Sequence, residues 1–234
     1  DKAIQINSSY AEAYNNKGNV LKEKAEYQLA AEYYEKSIKL NPNYIDAITN
    51  LGITWELMND FTKAERCFQQ ALSLHPNNPS LLYNLANCLF NSEDFNKAID
   101  VCHKILNLDS SFYFAYNRLG LCYIQLKDEE KAKELFQKAI NIKPDYSEGL
   151  TNYGLVLQKL RDYSLATLQF EKALSTDPNS EAALLNLSKS YFDEGRLEKS
   201  IEIAKKGLSS KQKNVPLLKN LIASLILLNR FDEA

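Results

Sequence analysis

Asparagine recurs at Asn16, Asn50, Asn84, Asn152, Asn186 and Asn220, members of a row with a constant 34-residue step whose central place is taken by Arg118. Only 23 of the 234 residues are asparagine, so six of seven at one spacing is a pattern rather than composition. A carboxamide carries a donor and an acceptor on one side chain. It can pair with both the N–H and the C=O of a passing backbone without reading that chain's side chains. Such a row could therefore hold an extended peptide. A second reading stands beside it, in which each amide only bonds across to the adjacent helix. Arg118 interrupts the row, and a guanidinium there suits a carboxylate or phosphate, or equally a local acid.

No other constellation supports chemistry. His75 and His103 have no Ser, Cys or Asp arrangement around them that would make a triad. Cys67, Cys88, Cys102 and Cys122 form no Cys-x-x-Cys pair and have no nearby His pair, so they read as buried, reduced thiols rather than zinc ligands. A column of acids, Glu26, Asp60, Asp94, Asp128 and Asp162, lies just before apolar-periodic stretches, where the four Asp read as helix N-caps rather than metal ligands. The glycines make no phosphate-cradling loop. The expectation is no metal, no cofactor and no enzymatic activity in this segment.

Charge and hydropathy narrow the partners. With 28 Lys and Arg against 30 Asp and Glu, the net charge of −2 gives no sequence-wide attraction for nucleic acid. The longest uncharged apolar run, Leu221 to Leu228, is far short of the roughly 20 residues of a membrane helix, so no membrane insertion is expected. No basic-then-apolar leader opens the chain, which points to the cytoplasm with the nucleus left open.

The elements that must position the row follow from the repeat. Taking the small residues Gly18, Gly52, Ala86, Gly120, Gly154 and Ser188 as position 8, six full repeats run 11–44, 45–78, 79–112, 113–146, 147–180 and 181–214. Residues 1–10 match the end of a preceding repeat and 215–234 the start of a seventh. Position 20 is Ala30, Ala64, Ala98, Ala132, Ala166 and Ser200; position 24 is mostly a ring, as in Tyr34, Phe68, Phe136 and Phe170. Large opposite small is how packed layers interlock. Prolines at 42, 76, 144 and 178 stop a helix. Each repeat thus reads as helix A over about positions 1–14 and helix B over about 17–30. Neither buries its apolar face alone, so repeats must stack into an all-α superhelical solenoid forming one domain.

This 34-residue pattern, small at 8, 20 and 27, ringed at 24 and proline at 32, resembles the tetratricopeptide repeat. The resemblance implies a right-handed superhelix of antiparallel helix pairs whose A helices line a concave groove that binds peptides or proteins. The asparagine row is similar to one lining the repeat domain of O-linked N-acetylglucosamine transferases, where it holds substrate backbones. The family's chaperone-tail clamp is absent: Thr49, Ile53 and Phe114 stand where two Lys and an Asn are required. Departures gather in the sixth repeat, with Ser188, Ser200, Ala204 and Gly207, which is expected to be the loosest.

Between the polar positions the groove-facing residues are apolar: Ile53, Leu57, Tyr83, Phe90, Phe114, Leu121, Ile124, Leu155, Leu185 and Phe192. The expected function is a protein-interaction scaffold that takes an extended or helical segment of a protein partner, with Tyr83, Phe90, Phe114, Leu121 and Ile124 as apolar contacts and the row fixing the backbone. The alternative is the substrate-recognition arm of a larger enzyme, such as a glycosyltransferase, with its catalytic domain beyond residue 234. Both ends fall inside a repeat, so a longer parent is expected, and a bare last helix carrying Leu221, Leu225 and Leu228 would be available for self-association.

Overall fold

The computed structural model describes residues 10–210 and 214–229. They form thirteen α-helices and, among the described residues, no strand: α1 Ala11–Glu23, α2 Tyr27–Leu40, α3 Ile45–Leu57, α4 Phe61–Leu74, α5 Pro79–Asn91, α6 Phe95–Leu108, α7 Tyr113–Gln125, α8 Glu129–Ile142, α9 Ser147–Lys159, α10 Tyr163–Thr176, α11 Glu181–Asp193, α12 Leu197–Ser210 and α13 Val215–Leu227. The odd-numbered helices are the A helices of the repeat and the even-numbered ones the B helices. Residues 1–9, where the end of a preceding repeat was expected, lie outside the described residues.

The chain divides into two compact units, Asp1–Arg118 and Leu119–Ala234. In the N-terminal unit each helix from α1 to α6 packs on the next, and α1 and α5 also touch α3. The C-terminal unit repeats the arrangement from α8 to α13, with α9 and α13 touching α11. Within each unit consecutive helices pack on one another, and successive odd helices also touch.

Local signals explain where the helices begin and end. Asp60, Asp94, Asp128 and Asp162 accept from the backbone N–H of Lys63, Lys97, Lys131 and Leu165, so all four cap B helices. Helix A stops one residue sooner than the sequence pattern suggests. Position 15 is left-handed in every described repeat: Ala25, Asn59, Glu93, Lys127, Arg161, Gly195 and Asn229 have φ between 56° and 73°. That conformation turns the chain into helix B, and only Gly195 and the two asparagines suit it well.

The core follows the small-against-large rule closely. A Cβ on Gly18, Gly52, Gly120 or Gly154 would stand 2.4 to 2.8 Å from a ring carbon of Tyr34, Phe68, Phe136 or Phe170. Those four rings are 0 or 1% exposed. In the third repeat the same two positions hold Ala86 and Cys102, a larger residue at 8 with a smaller one at 24, both fully buried. In the sixth the same two positions hold Ser188 and Ala204, both buried, and a hydrogen-bonded chain of buried serines runs beside them. Ser200 Oγ donates to the Ser188 carbonyl at 2.8 Å and Ser224 Oγ to Ser200 Oγ at 3.0 Å. All three serines are fully buried.

The last helix corrects one expectation. Leu221 and Leu225 are buried against Ile201 and Ala204 of α12, with Leu228 packed alongside. An A helix turns these leucines onto the preceding B helix, so the face expected to be bare is covered by the repeat before it. The exposed apolar residues of α13 are Val215, Leu218, Ile226 and Leu227.

Candidate functional site

The face of the odd helices in the N-terminal unit begins as a polar cleft of about 600 Å³ between α1, α3 and α5. Asn16, Asn50 and Asn84 line it together, joined by Asn15, Asn19 and Asn78. Spacing of one helix A per repeat brings the three row members into one cleft. Asn16 is exposed and Asn84 half-buried, with no side-chain hydrogen bond from either among the described residues. Asn50 is engaged: its Nδ2 donates to Asn15 Oδ1 at 3.1 Å, and its Oδ1 accepts from Lys22 Nζ at 3.3 Å. Burial lowers the pKa of Lys22, which is desolvated beneath this amide chain. Burial, followed by the charges of Asp46 and Glu12, raises that of Tyr44 on the cleft wall.

Further along the same unit the surface turns aromatic. The rings of Tyr83, Phe112 and Phe114 pack with centroids 5.6 to 5.8 Å apart. The Arg118 guanidinium lies 4.7 Å from the Phe90 ring centroid and 5.9 Å from that of Tyr83. Stacking of this kind suits a planar, weakly hydrated cation. Arg118 forms no ion pair among the described residues, and its buried Nε has no hydrogen-bond partner. Glu56, the acid that feels its charge, accepts instead from Asn91 Nδ2 at 2.6 Å; burial raises the Glu56 pKa, against the pull of Asn91 and Arg118.

In the C-terminal unit the odd-helix face opens into a cavity of about 450 Å³. Leu121, Ile124, Asn152 and Leu155 line it, so four of the sequence-selected residues meet here. Leu155 and Tyr163 stand at its mouth, 38% and 48% exposed, and Phe136 and Val156 form the buried floor. Charged groups sit on the rim: Lys159, Lys189 and Asp193. The remaining row members lie elsewhere. Asn186 donates to the Ala182 carbonyl of its own helix at 2.8 Å, and Asn220 has a buried Nδ2 without a partner. The row is therefore a set of local amide sites, three of them in one cleft.

Sequence reasoning missed Asn15, Lys22, Lys159, Lys189 and Tyr163. The signal for Lys189 was in the sequence: position 9 of the fourth, fifth and sixth repeats reads Leu121, Leu155, Lys189, an apolar wall ending in a cation. Asn15 was hidden because position 5 holds no one residue type, running Asn15, Thr49, Tyr83, Asn117, Thr151, Leu185 and Lys219. Among the described residues no three His, Cys, Asp or Glu side chains gather to hold a metal ion, and no helix is long and apolar enough to cross a membrane. All four cysteines are buried, and none is joined in a disulfide.

Three models described as tetratricopeptide repeat match the chain, over residues 11–44, over 115–146, and over 57–111 together with 157–234. A comparison with curated proteins finds no match. Similar solved structures include a chain of the APC/C hetero-tetramer Cut9-Hcn1, at 16% identity and TM-score 0.77, covering 96% of this chain and 44% of that one. This chain thus spans less than half of that protein. PilF of Pseudomonas aeruginosa is similar at 16% identity and TM-score 0.71, covering 91% and 96% of the two chains. YrrB, described as a TPR protein with an unusual peptide-binding site, is similar at 23% identity and TM-score 0.54, covering 78% and 94%. At these identities the likeness is one of fold.

Proposed function

We propose, from the premise that this chain belongs to the tetratricopeptide repeat family, that it is a protein-interaction scaffold whose odd-numbered helices bind a segment of a partner protein. The observation that carries this reading is the cavity between α7, α9 and α11, apolar within and rimmed by polar groups, on a face the repeat packing leaves uncovered. Its volume falls in the range of about 300 to 1,000 Å³ common to ligand pockets. The amide cleft of the N-terminal unit supports the reading, since Asn16 and Asn84 present donor and acceptor groups to a passing backbone. A protein of the same fold, YrrB, is described as having a peptide-binding site.

The test begins with peptides selected from a random display library on the wild-type chain. Leu155→Asp places a charge at the cavity mouth and is expected to weaken the selected peptides by about tenfold or more, the scale of burying an unpaired charge beside an apolar anchor. Asn84→Ala with Asn152→Ala is expected to weaken binding with little change in melting temperature. Affinities untouched by both variants would remove the odd-helix face as the binding surface.

A further inference from the structure

Resting on the proposed function, the geometry points to a ligand class for the cavity of the C-terminal unit: we propose that it takes a segment whose bulky apolar side chain is flanked by carboxylates. The cavity wall explains the apolar half. Leu121 and Leu155 occupy the same position of consecutive repeats, and Ile124 stands one turn beyond Leu121, so the cleft between α7 and α9 is lined by branched aliphatic groups over a floor of Phe136 and Val156. An aliphatic or aromatic side chain displaces water from such a wall at a gain of about 25 cal/mol per Å² removed from solvent.

The charged rim explains the other half. The next member of the Leu121, Leu155 series is Lys189, an exposed ammonium that closes the wall and forms no ion pair among the described residues. Lys159 stands on the same rim. Its one ion-pair partner among the described residues is Glu129 at 3.8 Å, with the lysine side chain 51% exposed, a pairing worth little in water and readily exchanged for another carboxylate. Two ammonium groups beside one apolar cavity favour an anchor residue with acidic neighbours, through charge-assisted bonds that form when the anchor enters. Asp193 is the opposing charge on the rim, one turn past Lys189 on α11, and it limits the preference. The cleft of the N-terminal unit carries the opposite set, with Glu12 and Asp46 on its wall.

The experiment pans a random-peptide display library on the full chain and discards clones that still bind Leu155→Asp. The retained peptides are expected to carry Asp or Glu next to a Leu, Phe or Trp. Replacing those acids with Asn or Gln should weaken binding by about fivefold to tenfold, the size of two exposed pairings. Lys159→Glu with Lys189→Glu should weaken acidic peptides equally and restore binding to versions with Lys in place of the acids, and Asp193→Asn should tighten the acidic ones. Retained peptides that lack acids, or whose amide versions bind as tightly, overturn this inference while leaving the scaffold reading standing. A library with no clone sensitive to Leu155→Asp overturns this inference, and one whose clones also ignore Asn84→Ala with Asn152→Ala overturns both.

Discussion

Gly154→Ala isolates the packing rule on which the whole array depends. The added Cβ would stand 2.4 Å from Phe170 Cε1 and 2.8 Å from Cδ1 and Cζ, where carbon atoms prefer about 3.5 to 4.0 Å. The ring must retreat by about 1 Å. It has no free space to do so, because Phe170 is fully buried within a cluster that includes Phe136, Val156, Leu157 and Leu187. Overpacking of this kind costs roughly 1 to 3 kcal/mol, which for a chain of this length lowers the melting temperature by about 2 to 4 °C per kcal/mol. The third repeat carries the compensated pair of residue types at these positions, Ala86 and Cys102. Phe170→Cys alone leaves a cavity and should cost about 3 to 5 kcal/mol, as large-to-small core changes do. Combined with Gly154→Ala it should cost less than the sum, with a coupling of about 1 kcal/mol or more. Urea unfolding followed by helical circular dichroism measures all three. A neutral Gly154→Ala, or strictly additive effects, would refute the pairing of positions 8 and 24.

Three further expectations follow from the structure. Gly195 has φ of +73° and nothing within 4 Å of an added Cβ, so Gly195→Ala should destabilise by about 1 kcal/mol through the backbone alone. Arg161→Gly, at φ 66°, should stabilise by several tenths of a kcal/mol, both read as shifts in urea midpoint. Burial pushes the Cys67 thiol up to about 11 and that of Cys88 to about 12. Their neutral forms stabilise the fold fully below the unfolded value near 9.0, and that contribution is lost as pH rises through the folded values. Iodoacetamide at neutral pH should therefore leave both unmodified in the native chain and label both in denaturant, as mass spectrometry of tryptic peptides would show. Asp60 and Asp94 are held below the usual carboxylate range by the Lys63 and Lys97 side chains and the backbone N–H they cap. Depressed folded values mean a stabilisation present above the unfolded value of 3.8 and lost as pH falls through the folded one. The stability gap between wild type and Asp60→Asn with Asp94→Asn should be constant near neutrality and vanish in acid; a gap that persists there would contradict the assignment.

The array was legible in the sequence because its determinants are local and recur. Small residues at position 8, rings at 24, Asp at 16 and proline at 32 each act within one hairpin, and a 34-residue step superposes them. Position 15 escaped notice because Ala25, Glu93, Lys127 and Arg161 occupy a left-handed conformation their side chains do not advertise. The serine chain of Ser188, Ser200 and Ser224 was not legible, since a hydroxyl's partner depends on which backbone carbonyl comes within reach. The binding face was legible as a row but not as sites. Whether an amide faces a ligand or a neighbour is decided by residues at non-repeating positions, such as Asn15 and Lys22 around Asn50. Arg118 shows the same limit: neither a ligand anion nor a local ion pair was needed to place it, because Phe90 and Tyr83 supply its contacts.

The central claim is that a partner segment lies on the odd-helix face. Methyl-resolved NMR of the full chain, titrated with a peptide selected on it, addresses this directly. The Ile124, Leu121 and Leu155 methyls, which line the cavity, should shift progressively and saturate together. Those of Leu165 and Leu168, which border a separate cleft between the B helices α8 and α10, should stay in place. Shifts confined to Leu165 and Leu168, with the cavity methyls unmoved, would contradict the account.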